Sequence, residues 1–251
     1  MEAGNLHTSK PVHLSERLAQ IASWILPQSR VADIGGDHGW LLLAVAQKGL
    51  LGQGIIGEVN RGPFENAAGR IQAYGLGQQI DVRLGDGLSV LRDGEVDQVV
   101  IAGMGGALIT SILDAGKSKL TSVKRLVLQP NIGGHRVRQW LVANQWKLVH
   151  EEIIYDAEIY YEMIVAERGS EDIYGNPPIP RLILERIGPL LWQNRDPLLL
   201  AKMQEELTQM KKVYGQLSKG QSKQATLRRE ELEKEMEIWE QVMNWLSEEQ
   251  N

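Results

Sequence analysis

Five times between residues 30 and 143 a short, mostly apolar run stops at glycine or a polar residue, and the pattern reads as strand then helix. The runs cover 30–34, 54–58, 80–84, 97–102 and 125–129. Strand–helix alternation dictates parallel pairing, because each return to the sheet passes through a helix lying on one of its faces. Two more apolar segments, 147–155 and 160–166, are separated by only a few residues and read as a closing antiparallel pair. The expectation is an α/β domain with a mostly parallel seven-stranded sheet and helices on both faces. Ligands of such a sheet sit at the carboxyl ends of its strands.

The first strand end carries the most chemistry: Arg30-Val-Ala-Asp-Ile-Gly-Gly-Asp-His-Gly-Trp40. Glycines there let the backbone approach a ligand closely and accept positive φ. A dinucleotide loop would read G-x-G-x-x-G and seat a pyrophosphate on the following helix. Here Asp33 precedes Gly35 and Gly36, and Asp37 and His38 follow them. Two carboxylates repel a pyrophosphate but suit a sulfonium, which tilts the reading from NAD towards S-adenosyl-L-methionine. Taken alone, the loop is also an ordinary turn with Asp37 or His38 capping the helix.

The other strand ends add to it. Glu58 lies about twenty residues beyond the loop, where Rossmann-like folds place the carboxylate that takes the ribose hydroxyls. Asp86, within Gly85-Asp-Gly87, is either an acceptor for an adenine amino group or part of a tight turn. Gly103-Met-Gly-Gly106 ends the fourth strand and Pro130-Asn131 breaks after the fifth. Polar or glycine-rich features at five ends of one sheet edge make a nucleoside-type site with little phosphate contact.

The sequence holds no cysteine, so disulfides and thiolate metal sites are excluded, and no metal is expected. Residues 1–11 lack an apolar signal core and no run of ~18 apolar residues exists, so the expected location is cytoplasmic, with no membrane partner. A net charge of -5 argues against indiscriminate nucleic-acid binding. Residues 117–138 nevertheless contain Lys117, Lys119, Lys124, Arg125, Arg136 and Arg138 without any acid. Such a patch is a solvated surface or, beside a cleft, a grip on phosphates. A leading helix is expected over 14–25, ended by Pro27, with Arg17 beside Glu16 either in a surface ion pair or as a phosphate or site contact. Gly175-Asn-Pro-Pro-Ile-Pro180 divides domain 1–170 from domain 181–251. Beyond it, Met203, Leu207, Met210, Tyr214 and Leu217 step at helical spacing, as do Leu232, Met236, Trp239, Met243 and Leu246. They read as the core of an antiparallel α-helical coiled-coil hairpin turning at Gly220. A monomer is the default expectation for the oligomeric state.

Leu14-Ser-x-Arg-Leu18, Ala32-Asp-Ile-Gly-x-Asp-His38, Gly57-Glu58 with Gly62-Pro-Phe64, and Leu84-Gly-Asp-Gly-Leu88 occur in this order. Ile101-Ala-Gly-Met-Gly-Gly106, Leu128-Gln-Pro-Asn131, and Tyr161-Glu162 through Val165-Ala-Glu167 follow. This set resembles the TrmK family, bacterial S-adenosylmethionine-dependent enzymes that methylate N1 of the adenosine at tRNA position 22. The resemblance implies a Rossmann-like class I methyltransferase domain followed by a helical coiled-coil domain, S-adenosyl-L-methionine as cofactor and tRNA as partner. It further implies that Asp33, Gly35, Gly36, Asp37 and His38 surround the methionine end of the cofactor. Glu58, with Val59 beside it, would take the ribose, Asp86 and Gly87 the adenine, and Gly103 with Met104 the floor beside the methyl. The chain departs from the family at Gly36, usually serine, and at Gly39-Trp-Leu-Leu42, usually Ala-Tyr-Leu-Pro.

Methylation of adenine at N1 needs alignment and a means of stabilising the positive charge it generates. Asp37 is the first candidate for that carboxylate, because it puts a side chain where such loops commonly have glycine. Asn131 and Tyr161 are candidates for holding the target base, and Arg17, Lys124, Arg125, Arg136 and Arg138, with the hairpin, for gripping tRNA. A methyltransferase acting on a small molecule or protein, and a non-catalytic RNA-binding module, are the alternatives.

Overall fold

The structure, a computed structural model, describes residues 10–170, 173–174, 179–217 and 222–248, without the side chains of Asp37, Lys223 and Glu248. The chain divides into two compact units, Met1–Ile173 and Tyr174–Asn251. Residues 175–178 of the expected boundary and the turn expected at Gly220 lie outside the described residues.

In the first unit the strands are β1 (Ser29–Ile34), β2 (Leu51–Glu58), β3 (Ile80–Leu84), β4 (Gln98–Gly105), β5 (Arg125–Ile132), β6 (Trp146–Asp156) and β7 (Ile159–Arg168). The helices are α1 (Glu16–Ser23), α2 (Trp40–Gln47), α3 (Arg61–Ala73), α4 (Gly106–Ala115) and α5 (Gly134–Ala143). All seven strands join one sheet in the order β3-β2-β1-β4-β5-β7-β6. The first five pair in parallel, and β7 runs antiparallel to both β5 and β6. Ala157 and Glu158, both at positive φ, close the β6–β7 turn, as the right-handed twist of a two-residue hairpin demands.

Strand succession runs outward from β1 to β3 and then restarts at β4 on the other side of β1. With right-handed crossovers, this reversal puts the helices of the two halves on opposite faces and opens a crevice between the ends of β1 and β4. Val31, Ile56, Val100, Val127 and Val165 form one core with Ile21 of α1, Leu41 to Leu43 of α2 and Ile71 of α3. Their sequence neighbours Ala32, Ile55, Val99, Ile101, Leu126 and Leu128 are buried too, on the other face. Burial on both faces explains why these strands read as continuous apolar runs. One expectation fails here: β3 is followed not by a helix but by a short 3-10 turn, Gly87–Val90.

The second unit contains α6 (Arg181–Ile187), α7 (Pro189–Gln193), α8 (Leu199–Leu217) and α9 (Lys223–Glu248). Tyr214 pairs with Arg229 and Lys211 with Glu240, partners that diverge from one end, so α8 and α9 run antiparallel. Leu199, Met203 and Leu207 are buried on α8, and Leu232, Trp239, Val242 and Leu246 on α9. The periodic stripes therefore serve packing, worth about 1.5–3 kcal/mol for each large side chain removed from water.

Candidate functional site

A cleft of ≈ 400 Å³ opens at the crevice and is lined by Asp33, Gly35, Gly36, Trp40 and Leu41 from the β1–α2 connection. Ala102, Gly103 and Met104 line it from β4, Asn131 from β5, Tyr161 from β7, and Arg17 and Leu18 from α1. The topology thus gathers residues far apart in sequence at one edge.

Asp33 is the penultimate residue of β1 and is only 3% exposed. Gly35, at φ 69, turns the chain out of the strand, and a Cβ there would lie 2.1 Å from Met104 Cε. A Cβ on Gly36 would lie 2.4 Å from Asp33 Oδ2, so the missing side chain keeps the backbone against the carboxylate. The 3-10 turn Asp37–Gly39 follows; the Asp37 side chain lies outside the described residues. The N-cap of α2 is Gly39, so neither Asp37 nor His38 fills that position. His38 sits at φ 70, and its carbonyl accepts a hydrogen bond from the Arg70 guanidinium, which also lies 3.9 Å over the Trp40 ring.

The Gly103 end is a bulge: Ala102 registers with Gln129 and Met104 with Pro130, and Gly103 is at φ 77. Gln129, fully buried, holds it. Its Oε1 accepts from Arg17 Nη1 at 2.7 Å and from the Gly103 N–H at 3.1 Å. Its Nε2 donates to Asn131 Oδ1 at 3.1 Å, and Asn131 Nδ2 donates to the Gly103 carbonyl at 2.8 Å. Arg17 also lies 5.2 Å from the Tyr161 ring centroid, and its backbone N–H donates to Asp156 Oδ2. It is therefore a wall of the cleft, not the partner of Glu16 in a surface ion pair.

The cleft brings together Asp33, Gly35, Gly36, Gly103, Met104, Asn131, Tyr161 and Arg17. Glu58 and Asp86 are not among its lining residues. Glu58 is 5% exposed at the end of β2, whereas Val59 after it is 61% exposed. Asp86 precedes the 3-10 turn that begins at Gly87 (φ 52), and the Gly85 N–H donates to the Glu58 carbonyl. These four residues continue the same edge across β2 and β3.

The basic stretch breaks apart. Arg138 is fully buried and paired at 2.5 Å with both Glu151 and Glu162, so it holds α5 to β6 and β7 and cannot touch RNA. Arg125 pairs with Glu167 and Lys124 lies 3.8 Å from Asp97. Both stand at the amino end of β5, about 20 Å of strand from Asn131 and away from the cleft. Lys117 and Lys119 pair with Asp114 and Asp93. Arg136, exposed in the first turn of α5, is the one member of the group with no ion pair among the described residues.

A buried carboxylate set against a glycine backbone fits a cationic nucleoside better than a phosphate chain. The cleft's one cationic lining residue, Arg17, is committed to Gln129. Among the described residues no group of three His, Asp or Glu is placed to hold a metal ion, and no helix is long and apolar enough to cross a membrane. Gln129 and Trp40 escaped the sequence reading of the site, although both lie inside quoted motifs.

The model of the TrmK family, tRNA (adenine(22)-N(1))-methyltransferase, matches residues 31–241. The tRNA (adenine(22)-N(1))-methyltransferase of Bacillus subtilis (strain 168) is 38% identical over 233 residues, 92% of this chain and 97% of that protein. The crystal structure of the B. subtilis M1A22 tRNA methyltransferase TrmK superposes with a TM-score of 0.83, covering 92% of this chain and 99% of the other. Streptococcus pneumoniae Sp1610 in complex with S-adenosyl-L-methionine superposes at 0.80 with 31% identity, covering 92% and 100%.

Proposed function

Since this chain belongs to the TrmK family, we propose that it uses the β1/β4 cleft to transfer the methyl group of S-adenosyl-L-methionine to N1 of adenosine 22 in tRNA. The observation that carries the reading is the pairing of Asp33 with a glycine backbone at the topological switch point. Buried carboxylate and close backbone suit the cationic methionine end of the cofactor, and the carboxylate would repel a pyrophosphate. A tRNA substrate supports a cytoplasmic location.

Bound cofactor supplies an electrophilic methyl on a sulfonium. Asp33, Gly35 and Gly36 hold its methionine end, Glu58 its ribose, and Asp86 with Gly87 its adenine. Gly103 and Met104 form the floor on the β4 side. Adenine N1 already carries a lone pair, so the protein must align it and then accommodate positive charge on the ring. Asp37 is assigned that charge and the amino proton, because it opens the turn directly after Gly36 of the cleft lining. The target base leaves its stack and rests against Asn131 and Tyr161. Arg136 takes a backbone phosphate.

The test is Asp37→Ala, assayed for cofactor affinity by calorimetry and for methylation of unmodified tRNA. Turnover falls by about 10²–10⁴-fold, much more than affinity. Turnover near wild type would remove Asp37 from the chemistry.

A further inference from the structure

The amide network behind the cleft has only one consistent polarity. The Arg17 guanidinium and the Gly103 N–H are donors without acceptor capacity, and both meet Gln129 at one atom, at 2.7 and 3.1 Å. That atom must be the oxygen. Gln129 therefore turns its NH₂ towards Asn131, which must answer with Oδ1 and turn Nδ2 to the Gly103 carbonyl, at 3.1 and 2.8 Å. Reversing Asn131 would set N–H against N–H at Gln129 and oxygen against oxygen at Gly103. The orientation of an exposed cleft residue is thus dictated from a fully buried one.

Asn131 has capacity left after these bonds: a second lone pair on Oδ1 and a second N–H on Nδ2. An acceptor beside a donor on one planar amide complements the N6/N7 edge of adenine, which offers an amino donor beside a ring acceptor. Guanine presents two acceptors on the same edge, O6 and N7, and one would face Oδ1. If N1 is the atom turned towards the methyl donor, the N6/N7 edge is the one left for the protein to read.

We propose that Asn131 reads the N6/N7 edge of the target adenine, and that Gln129 is a positioning residue that locks Asn131 in the adenine-reading orientation through Arg17 and Gly103. This rests on the reading of the cleft as the site of adenine N1 methylation. It assigns base selection to the β5 end and makes Arg17 an orienting group rather than a phosphate contact.

The test removes one substrate atom. Two tRNAs are assembled by ligation, identical except for adenosine or 7-deazaadenosine at the target position, and kcat/KM is measured for each. The wild-type enzyme loses about tenfold on the 7-deaza substrate, the value of one hydrogen bond in a partly desolvated site. Asn131→Asp keeps an oxygen for N6 and for Gln129 but has no N–H for N7. It is slower on adenosine and makes no distinction between the two tRNAs. Gln129→Glu replaces the NH₂ that meets Asn131 Oδ1 by an oxygen, so neither orientation of Asn131 is satisfied at both position 129 and Gly103; the lock is lost and the distinction with it, while turnover on adenosine falls. Where multiple turnover is too slow, single-turnover rates at subsaturating enzyme excess give the same ratio. A wild-type enzyme indifferent to N7, or a tenfold penalty that survives in either variant, overturns the proposal. A wild-type enzyme that fails on natural tRNA would instead overturn the functional reading.

Discussion

Arg138→Met is a sharp test of how the sheet and its helices are held together. Both carboxylates that the guanidinium meets at 2.5 Å are withdrawn from water: the Glu151 side chain is 0% exposed and Glu162 11%. Removing the arginine leaves two like charges buried side by side. Breaking a buried pair in this way costs about 3–5 kcal/mol, a large part of the ~5–15 kcal/mol by which a domain is stable. For a unit of this size each kcal/mol moves Tm by about 2–4 °C, so calorimetry of the full chain should show the first unit melting about 6–20 °C lower. Adding Glu151→Gln and Glu162→Gln removes the stranded charges and recovers most of the loss. Cofactor and tRNA affinities, measured below the lowered Tm, stay close to wild type. A stability shift of less than about 1 kcal/mol, or a reduced salt dependence of tRNA binding, would refute this role for Arg138.

Three further outcomes follow from the geometry. Gly106→Ala would place a Cβ 2.2 Å from the Gly133 carbonyl oxygen, backbone against backbone, so α4 must move off the β5–α5 turn; a loss of about 1–3 kcal/mol in urea unfolding and a fall in methylation are expected. Arg136→Glu weakens tRNA binding and lowers the slope of log K against log salt by about one unit or more, whereas Lys124→Glu, at the opposite strand end, leaves the slope unchanged. Glu95 receives two hydrogen bonds from Arg83, at 2.7 and 2.8 Å, which hold its carboxyl well below the usual range, down to about 2. A depressed carboxylate stabilises the fold above its unfolded pKa of 4.5, and that contribution is lost as pH falls from there to about 2. Glu95→Gln therefore lowers stability at pH 7 and flattens its decline over that acid window, as read by urea midpoints at a series of pH values.

What could be read from the sequence is what one-dimensional patterns encode. Buried parallel strands announce themselves as apolar runs, and β1, β2, β4 and β5 stand where those runs are. Strand ends near a ligand need glycine for steric reasons that operate locally, so Gly35, Gly36 and Gly103 were visible before their neighbours were known. Pairing across the fold was not. The stretch 117–138 contains no acid in sequence, yet Asp93, Asp97, Glu151, Glu162 and Glu167 come to its cations from other segments, and Asp114, just before it, pairs with Lys117. Charge counted along the chain misses this because the sheet brings β6 and β7 back beside β5 and α5. Gln129 was hidden for a related reason: it lies in an apolar strand, and its three partners come from α1, β4 and its own strand. The helix expected after β3 fails because Gly85-Asp-Gly87 starts a tight turn, and the short 3-10 segment suffices to reach β4.

Nucleoside mapping of the product shows directly which atom of the tRNA receives the methyl group. Unmodified tRNA is incubated with the protein and methyl-labelled S-adenosyl-L-methionine, digested, and analysed by mass spectrometry with sequence placement of the label. One labelled N1-methyladenosine, at position 22, is the expected product. Label at another atom or position, or none in the presence of bound cofactor, would contradict it.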